Sequence, residues 1–327
     1  MEKTVAFFDT KPYDIEWFEK LPHENIKFKF FEDKLTSETA RLAYGCEVVV
    51  PFVNDTIDKT TIEHLLKLNV KLIAMRCAGY NNIDLSFAKD RIEIVRVPGY
   101  SPNAVAEYTM ALLLTLNRKT HKAYIRTRDY NFSLARLTGF DLKGKTIGVV
   151  GTGKIGKEFI DICKGFKMNV LAYDLYPDNN SDIQYTDIDT LFKNSDIISF
   201  HCPLTKQSYH MVNESSIKNM KDNVIILNTS RGAIIDSYAL LKGLKEKKIS
   251  GAGLDVYEEE NGIFYEDFSG EIMNDDVFAL LVSMPNVIIT SHQAFLTNEA
   301  LQNIAETTIQ NIQDFFNNKE LTNRISI

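Results

Sequence analysis

Eleven apolar runs of strand length alternate along this chain with longer amphipathic stretches. The first five are Val5–Phe8, Ile26–Phe31, Glu47–Phe52, Lys71–Arg76 and Ile92–Val97. The other six are Thr146–Val150, Asn169–Tyr173, Asp196–Phe200, Val224–Asn228, Gly251–Asp255 and Val287–Thr290. Runs such as IGVV and VIILN are apolar at consecutive positions instead of alternating. That pattern belongs to strands covered on both faces, as in parallel sheets. Strands alternating with helices predict an α/β architecture with helices on both sides of mainly parallel sheets. The two series, and a length of 327 residues, predict two domains.

The join between the series is also readable. Ser101-Pro102 places a good N-cap before a proline at the first helical position. The residues that follow, NAVAEYTMALLLTLNRK, are apolar on nearly every side, so this helix must bury most of its surface. It is expected to link the two domains, wedged between domains or between subunits. A polar, aromatic stretch, Lys119–Leu137, precedes the second series.

Charge and composition exclude several function classes. Lys and Arg number 37 against 44 Asp and Glu, a net charge of −7. A nucleic-acid binder needs a basic face to meet phosphates, and none is expected. From Ile249 to Asn318 there are twelve acidic residues and no Lys or Arg. The longest apolar stretch, Ala104–Leu116, is too short to span a bilayer and contains Glu107. The opening MEKTVAFFDT lacks the apolar run of a signal peptide, so a cytoplasmic location with no membrane partner is expected. Cys46, Cys77, Cys163 and Cys202 form no C-x-x-C pair and are expected to be reduced; no metal is expected.

The strongest local motif is Gly151-Thr152-Gly153-Lys154-Ile155-Gly156. It follows the predicted strand TIGVV and opens the amphipathic stretch KIGKEFIDICKGF. The next predicted strand ends at Asp174, 23 residues after Gly151. A glycine fingerprint in a strand–turn–helix, with an acid about 20 residues on, is the signature of dinucleotide binding. Gly151 permits the tight turn, Gly153 admits a pyrophosphate against the backbone, and Gly156 lets helix and strand pack closely. The helix N-terminus offers free N–H groups to the phosphates. Asp174 would accept from the adenosine ribose hydroxyls and repel a 2′-phosphate, which favours NAD over NADP. A flavin dinucleotide uses the same fingerprint. Its place in mid-chain, after a complete α/β domain, favours a nicotinamide.

Three further residues fall at the carboxyl side of predicted strands, where open α/β sheets bind ligands. Arg231 follows VIILNTS, Glu260 lies five residues past Asp255, and His292 follows VIITS. Alone, each has a plain explanation: a surface ion pair, a solvated acidic loop, a loop cap. Together around a nicotinamide they make a rational site for reducing a 2-keto acid. Arg231 would grip the substrate carboxylate with its planar fork. His292 would give a proton to the ketone oxygen, and take one in reverse. Glu260 would orient the imidazole and stabilise its protonated form.

At these residues the sequence resembles the D-isomer-specific 2-hydroxyacid dehydrogenases. The resemblance runs through Arg76-Cys77-Ala78-Gly79-Tyr80-Asn81-Asn82, Val97-Pro98-Gly99-Tyr100-Ser101-Pro102-Asn103 and the glycine fingerprint. It continues through His201-Cys202-Pro203-Leu204-Thr205, Asn228-Thr229-Ser230-Arg231-Gly232 and Met284-Pro285-Asn286-Val287 to His292. The family's catalytic Arg, Glu and His fall on Arg231, Glu260 and His292. The resemblance implies a flavodoxin-like substrate-binding domain, residues 1–101 plus 296–327, and a doubly wound NAD-binding domain, residues 102–295. It implies that the backbone of Ala78 and Gly79 meets the substrate carboxylate, with Tyr100 near it. Phe52 and Phe295 would line the side-chain pocket. Asp255 would meet the nicotinamide end, and Thr152, Lys154, Ile155, Cys202, Pro203 and Thr229 would touch the cofactor. It also implies a homodimer formed through the helix after Pro102. The site would draw on both domains.

The aromatic pair Phe52 and Phe295 would suit the methyl group of pyruvate, with D-lactate as its reduced partner. A relative acting on bulkier 2-keto acids would differ mainly at such wall residues. A third expectation is a binding protein that senses NAD(H) with vestigial catalytic residues, against which the complete Arg, Glu and His set argues. Gln293-Ala294 stand where phosphoglycerate and glyoxylate enzymes carry Gly-Gly, and Glu260 stands where formate dehydrogenases carry Gln. Ser291 replaces a common Pro and Gly99 a frequent Ala; neither change removes a group the chemistry needs.

Overall fold

A computed structural model describes residues 2–178, 180–260 and 262–325. The chain forms two compact units, one of residues 1–101 with 296–327 and one of residues 102–295.

The first unit contains β1 (Lys3–Phe7), α1 (Pro12–Lys20), β2 (Ile26–Phe30), β3 (Val48–Val50), α2 (Lys59–Lys67), β4 (Leu72–Ala74), α3 (Leu85–Ala88) and β5 (Glu93–Val95). The second contains α4 (Pro102–Arg118), α5 (Thr120–Arg128), β6 (Thr146–Val150), α6 (Lys154–Gly165), β7 (Asn169–Tyr173), α7 (Ile188–Asn194), β8 (Ile197–Phe200), α8 (Glu214–Asn219) and β9 (Val224–Asn228). It continues with α9 (Ser237–Lys245), β10 (Ile249–Leu254), α10 (Asp276–Ser283) and β11 (Val287–Ile289). Helix α11 (Asn298–Phe316) returns to the first unit. All eleven predicted strands are present, each within a few residues of its apolar run.

One isolated antiparallel bridge joins Val95 to Arg324; every pairing between the named strands of both sheets is parallel. The first has the order β2-β1-β3-β4-β5, which is flavodoxin-like. Its core joins Val5, Phe7, Val48, Val50, Leu72 and Ala74 to Trp17 and Phe18 of α1 and to Ala305, Ile309 and Ile312 of α11. The periodicity of α11 is that of a helix with one face on a sheet, and Thr297 caps it by accepting from the Ala300 N–H at 3.2 Å.

The second sheet has the order β11-β10-β9-β8-β6-β7. A parallel bridge from Ala172 of β7 to Tyr185 adds a vestigial strand on the outer side. Counting it gives the order of the dinucleotide fold, 3-2-1-4-5-6, with one strand added. The chain order therefore reverses beside β6, and the carboxyl end of β6 is the switch point where such sheets bind ligands. One face is covered by α4 and α6, with Met110, Leu113, Leu116, Phe159, Ile160 and Cys163 in one core. The other is covered by helices α7 to α10, with Leu191, Ile217, Leu240, Leu244 and Leu281 in a second.

Helix α4 begins at Pro102 as its cap sequence predicts, and only Asn103, Glu107, Ala111 and Arg118 are exposed along it. Ala106, Met110, Leu113 and Leu116 belong to the core of α4's own unit, so its apolar pattern calls for no partner chain by itself. A group of exposed apolar side chains lies just beyond it: Tyr124, Ile125, Tyr130, Phe132 and Leu134. The first half of the polar, aromatic stretch Lys119–Leu137 forms helix α5, Thr120–Arg128. Lys119, in the left-handed region at φ 53°, breaks it from α4. No helix among the described residues is long and apolar enough to cross a membrane. The four cysteines are free.

Candidate active site

The glycine fingerprint sits at the switch point. Gly151 ends β6 at φ +95°, a conformation that side chains avoid, and a Cβ there would lie 2.7 Å from the Cys202 nitrogen. A Cβ on Gly156 would lie 2.0 Å from the Gly151 carbonyl oxygen, so helix and turn touch backbone to backbone. Gly153 is different: nothing lies within 4 Å of where its Cβ would be. Gly153 also caps α6 without a side-chain acceptor, so no cap side chain takes up the first N–H groups of α6. An exposed helix N-terminus beside an open glycine is a cradle that fits a pyrophosphate.

Asp174, after β7, reaches back to this turn. Its Oδ2 accepts from the Thr152 N–H at 2.6 Å and the Thr152 hydroxyl at 2.9 Å, and its Oδ1 from the Tyr176 N–H at 2.9 Å. Burial pushes its carboxyl up, but these donors outweigh burial and hold it below the usual carboxylate range. Asp174 is thus an anion fixed beside the fingerprint, with acceptor capacity left for a hydroxyl.

Behind the turn lies His201, whose sequence context carries no signal for its role. Its ring packs on Phe159 at 4.9 Å, and Nε2 meets the Ser199 hydroxyl at 2.9 Å. Burial pushes its imidazole down to about 3. The sign of the consequence is definite. Below its ordinary value of 6.5 the unfolded chain binds a proton that the folded chain refuses, so stability falls as pH falls from 6.5 toward 3. Between pH 7 and pH 5 this group removes about 1–2 kcal/mol. Urea melts of His201→Gln should show that slope reduced; an unchanged slope contradicts the neutral buried imidazole.

The catalytic candidates divide into a pair and a neighbour. His292 and Glu260 meet directly: Nδ1 lies 2.9 Å from Oε1, with both side chains about one-sixth exposed, at 17% and 16%. Glu260 Oε2 accepts from the Tyr257 N–H at 3.0 Å, which fixes the carboxylate. A carboxylate facing Nδ1 assigns the proton to that nitrogen and leaves Nε2 to exchange protons. Among the described residues no protein group bonds to Nε2. His292 is also left-handed, at φ 53°.

Asp255 explains how that conformation is held. Its Oδ1 accepts from the Thr290 hydroxyl at 2.6 Å and the Gln293 N–H at 2.9 Å, its Oδ2 from the Ala294 N–H at 2.8 Å, and its carbonyl from the His292 N–H at 2.7 Å. Its exposure is 0%. These four bonds give Asp255 a structural role that its sequence did not announce. It is an inward-facing clamp on the loop that carries His292. Two further residues that local sequence could not single out complete the support. The Tyr265 hydroxyl donates to the His292 carbonyl at 2.9 Å, and Tyr108 bonds Gln293 at 2.7 Å.

Arg231 is held on the adjoining loop. Asn228 Nδ2 donates to its carbonyl at 2.8 Å, and the Ser230 N–H donates to Asn228 Oδ1 at 3.0 Å. The backbone of Gly232 presses on that of Tyr257 and Glu258, which sets the Arg231 loop against the loop of Glu260. Among the described residues no hydrogen bond or ion pair joins the Arg231 guanidinium to Glu260 or His292. Its one acceptor is the Ser230 carbonyl at 2.7 Å, and among the described residues no carboxylate pairs with it. A half-buried guanidinium without a carboxylate partner has donors left that suit an anion.

The remaining candidates are placed as follows. Thr229 is buried and bonds Thr109 of α4 at 2.8 Å. Cys202 is part-buried, its thiol pushed up to about 11 by burial, and its carbonyl accepts from the Ser230 hydroxyl; Pro203 beside it is exposed. Phe295 is buried, at the end of the second unit. In the first unit, Ala78 and Gly79 follow β4. Their carbonyls accept from Arg96 at 2.9 Å and the Cys77 thiol at 3.2 Å, while among the described residues neither N–H donates to the protein. Two free adjacent N–H groups suit a carboxylate. Phe52 is buried in the same unit, and the Tyr100 carbonyl accepts from Asn303 at 2.6 Å.

Comparison with known proteins agrees with the geometry. Residues 110–294 match the family model described as the NAD binding domain of D-isomer specific 2-hydroxyacid dehydrogenases. The chain is 49% identical over 315 residues to D-lactate dehydrogenase of Escherichia coli, covering 95% of this chain and 96% of that protein. The apo-structure of that Escherichia coli enzyme superposes with a TM-score of 0.89 at 46% identity, covering 99% of this chain and 100% of that one. The pyruvate reductase of Chlamydomonas reinhardtii superposes with a TM-score of 0.91 at 41% identity, over 98% of each chain. Fingerprint, dyad, unpaired arginine and similarity along the whole length converge: the chain belongs to the D-isomer specific 2-hydroxyacid dehydrogenase family, with that family's NAD binding domain in its second unit.

Proposed function

We propose that this protein is an NAD-dependent D-lactate dehydrogenase, reducing pyruvate to D-lactate and catalysing the reverse reaction. The observation that carries the reading is the His292–Glu260 pair with Nε2 open, beside an Arg231 that has no carboxylate partner. Bound NADH supplies the hydride. The residues of the chain do the rest. Gly151, Thr152, Gly153, Lys154, Ile155, Gly156 and Asp174 would hold the dinucleotide, together with Cys202, Pro203, Thr229 and Asp255. Arg231 binds the carboxylate of the keto acid by its fork, which also fixes the orientation of the ketone. His292 Nε2 gives its proton to the ketone oxygen as negative charge develops there. Glu260 Oε1 stabilises the protonated imidazole and holds its plane. On the substrate side, the N–H groups of Ala78 and Gly79 meet the carboxylate, Tyr100 lies nearby, and Phe52 and Phe295 face the methyl group. The substrate domain is residues 1–101 with 296–327, and the protein works in the cytoplasm.

A homodimer is part of this reading. The exposed apolar side chains Tyr124, Ile125, Tyr130, Phe132 and Leu134 continue from the helix after Pro102 and support a surface for a second copy.

The test is the loss of NADH absorbance with pyruvate, and its gain with NAD and D- or L-lactate separately. Turnover with pyruvate and D-lactate only is expected. Faster turnover of 2-ketoisocaproate than of pyruvate would move the substrate to bulkier keto acids. Bound NADH without turnover on any keto acid would overturn the enzyme reading. Arg231→Lys keeps the charge and loses the fork, so KM for pyruvate should rise about tenfold or more, with lower turnover. An unchanged KM contradicts the carboxylate role.

A further inference from the structure

A buried cation outside the residues assigned so far lies under the proposed substrate wall. Arg76 follows β4 and is 1% exposed. Its Nη1 donates to the Phe8 carbonyl at 3.0 Å, and its Nη2 to the Asp9 carbonyl at 2.6 Å and to Asp14 Oδ2 at 3.3 Å. Its Nε lies 3.3 Å from Asp14 Oδ1. The flat guanidinium is stacked between two rings, Phe7 at 4.6 Å and Phe52 at 4.5 Å. The Arg76 N–H donates to the Pro51 carbonyl at 3.4 Å.

The same short segment is fixed from a second direction by Asp55. One of its oxygens accepts from the Phe52 N–H and the other from the Leu35 N–H at 2.6 Å. Asn82 closes the turn by donating to the carbonyls of Phe52 and Asp55, each at 2.9 Å. Phe52 is thus held at its N–H, its carbonyl and one face of its ring. Burial pushes the Asp55 carboxyl up to about 7, against the pull of Arg76. Such a network is expensive to keep in a core, where apolar residues would fill the space at equal or better stability. Its justification is therefore geometric. Only a planar, multiply bonded cation presents one flat face to a ring while its edge is fixed by carbonyls and a carboxylate.

Resting on the keto-acid reading above, we infer that Arg76 is a positioning residue for substrate specificity: with Asp55 it fixes the Phe52 ring that limits the side chain of the keto acid. Arg76 touches no reacting atom in this scheme and acts through Phe52.

The experiment compares kcat/KM for pyruvate with that for 2-ketoisocaproate in wild type, Arg76→Lys, Phe52→Leu and the double variant. Lys keeps the charge and loses the flat face. In Arg76→Lys the preference for pyruvate should fall about tenfold, through a raised KM for pyruvate, while KM for NADH changes less than about twofold. In the Phe52→Leu background, adding Arg76→Lys should leave the ratio unchanged, because the coupled partner is gone. Should Arg76→Lys not fold, Asp55→Asn carries the same comparison: its single amide oxygen can accept from only one of the Phe52 and Leu35 N–H groups, so the hold on Phe52 is loosened from the other side. A folded variant with an unaltered ratio overturns the inference and reduces Arg76 to a structural ion pair. Additive effects in the double variant overturn the route through Phe52. A wild-type chain inert on every keto acid overturns the underlying reading, and the inference with it.

Discussion

His292→Asn is expected to lower turnover of pyruvate by about 10²–10⁴-fold while NADH still binds, because it removes the proton donor and nothing from the dinucleotide cradle. The choice of replacement follows from the backbone. At φ 53°, His292 occupies a region that Asn tolerates well and Ala poorly. His292→Ala would add about 1–2 kcal/mol of backbone strain to the chemical loss and confuse the two. Asn also leaves the His292 N–H on the Asp255 carbonyl and the Tyr265 hydroxyl on its own carbonyl. Glu260→Gln should also lower turnover: it removes the charge that stabilises the protonated imidazole, and its single amide oxygen cannot accept from both the His292 Nδ1–H and the Tyr257 N–H. Near-wild-type turnover in His292→Asn, with the melting temperature retained, would falsify the acid–base assignment.

Much of this molecule is legible in its sequence, for reasons that can be named. A parallel strand covered on both faces writes itself as a continuous apolar run, so Thr146–Val150 and Val224–Asn228 are read to the residue. The fingerprint is legible because three glycines serve three local geometries within one turn. What is lost is what depends on distant pairing. Arg76 looks like a polar residue ending a strand, and its partners Asp9 and Asp14 lie 67 and 62 residues away. Asp255 looks like one of many acids, yet the Gln293 and Ala294 N–H groups it holds are 38 and 39 residues on. The strand beside β7 shrinks to a bridge at Tyr185, too short to leave a pattern. The uniform apolarity of α4 reports burial and does not report what does the burying. The structure supplies part of it from α6, β9 and β10 of its own unit.

Gly232→Ala should be as damaging as the loss of a catalytic group, although Gly232 carries no chemistry. A Cβ there would lie 2.0 Å from the carbonyl carbon and oxygen of Tyr257 and 2.4 Å from the nitrogen of Glu258. These neighbours are backbone, and the backbone on each side is held. The Tyr257 hydroxyl donates to Asp275 at 2.7 Å, and Glu258 binds the His210 ring and the Ser237 N–H, the latter at 3.1 Å. On the other side, the Gly232 carbonyl accepts from the Ile235 N–H at 3.0 Å, and the Arg231 carbonyl from Asn228. One methyl group must therefore drive the Arg231 loop and the Glu260 loop apart. Overpacking of this kind costs about 1–3 kcal/mol. A displacement of about 1 Å between carboxylate receptor and proton donor costs about 10²-fold in turnover. The matched control is Gly165→Ala at the end of α6, where nothing lies within 4 Å of the added atom. That change should leave turnover intact and add about 0.5–1 kcal/mol of stability. The pair of variants separates two explanations of the Gly232 effect. If kcat/KM for pyruvate in Gly232→Ala stays within a few-fold of wild type, the contact between the two loops does not set the distance from Arg231 to the His292–Glu260 pair. If it falls with NADH affinity unchanged, the close approach of two backbones is what assembles the site.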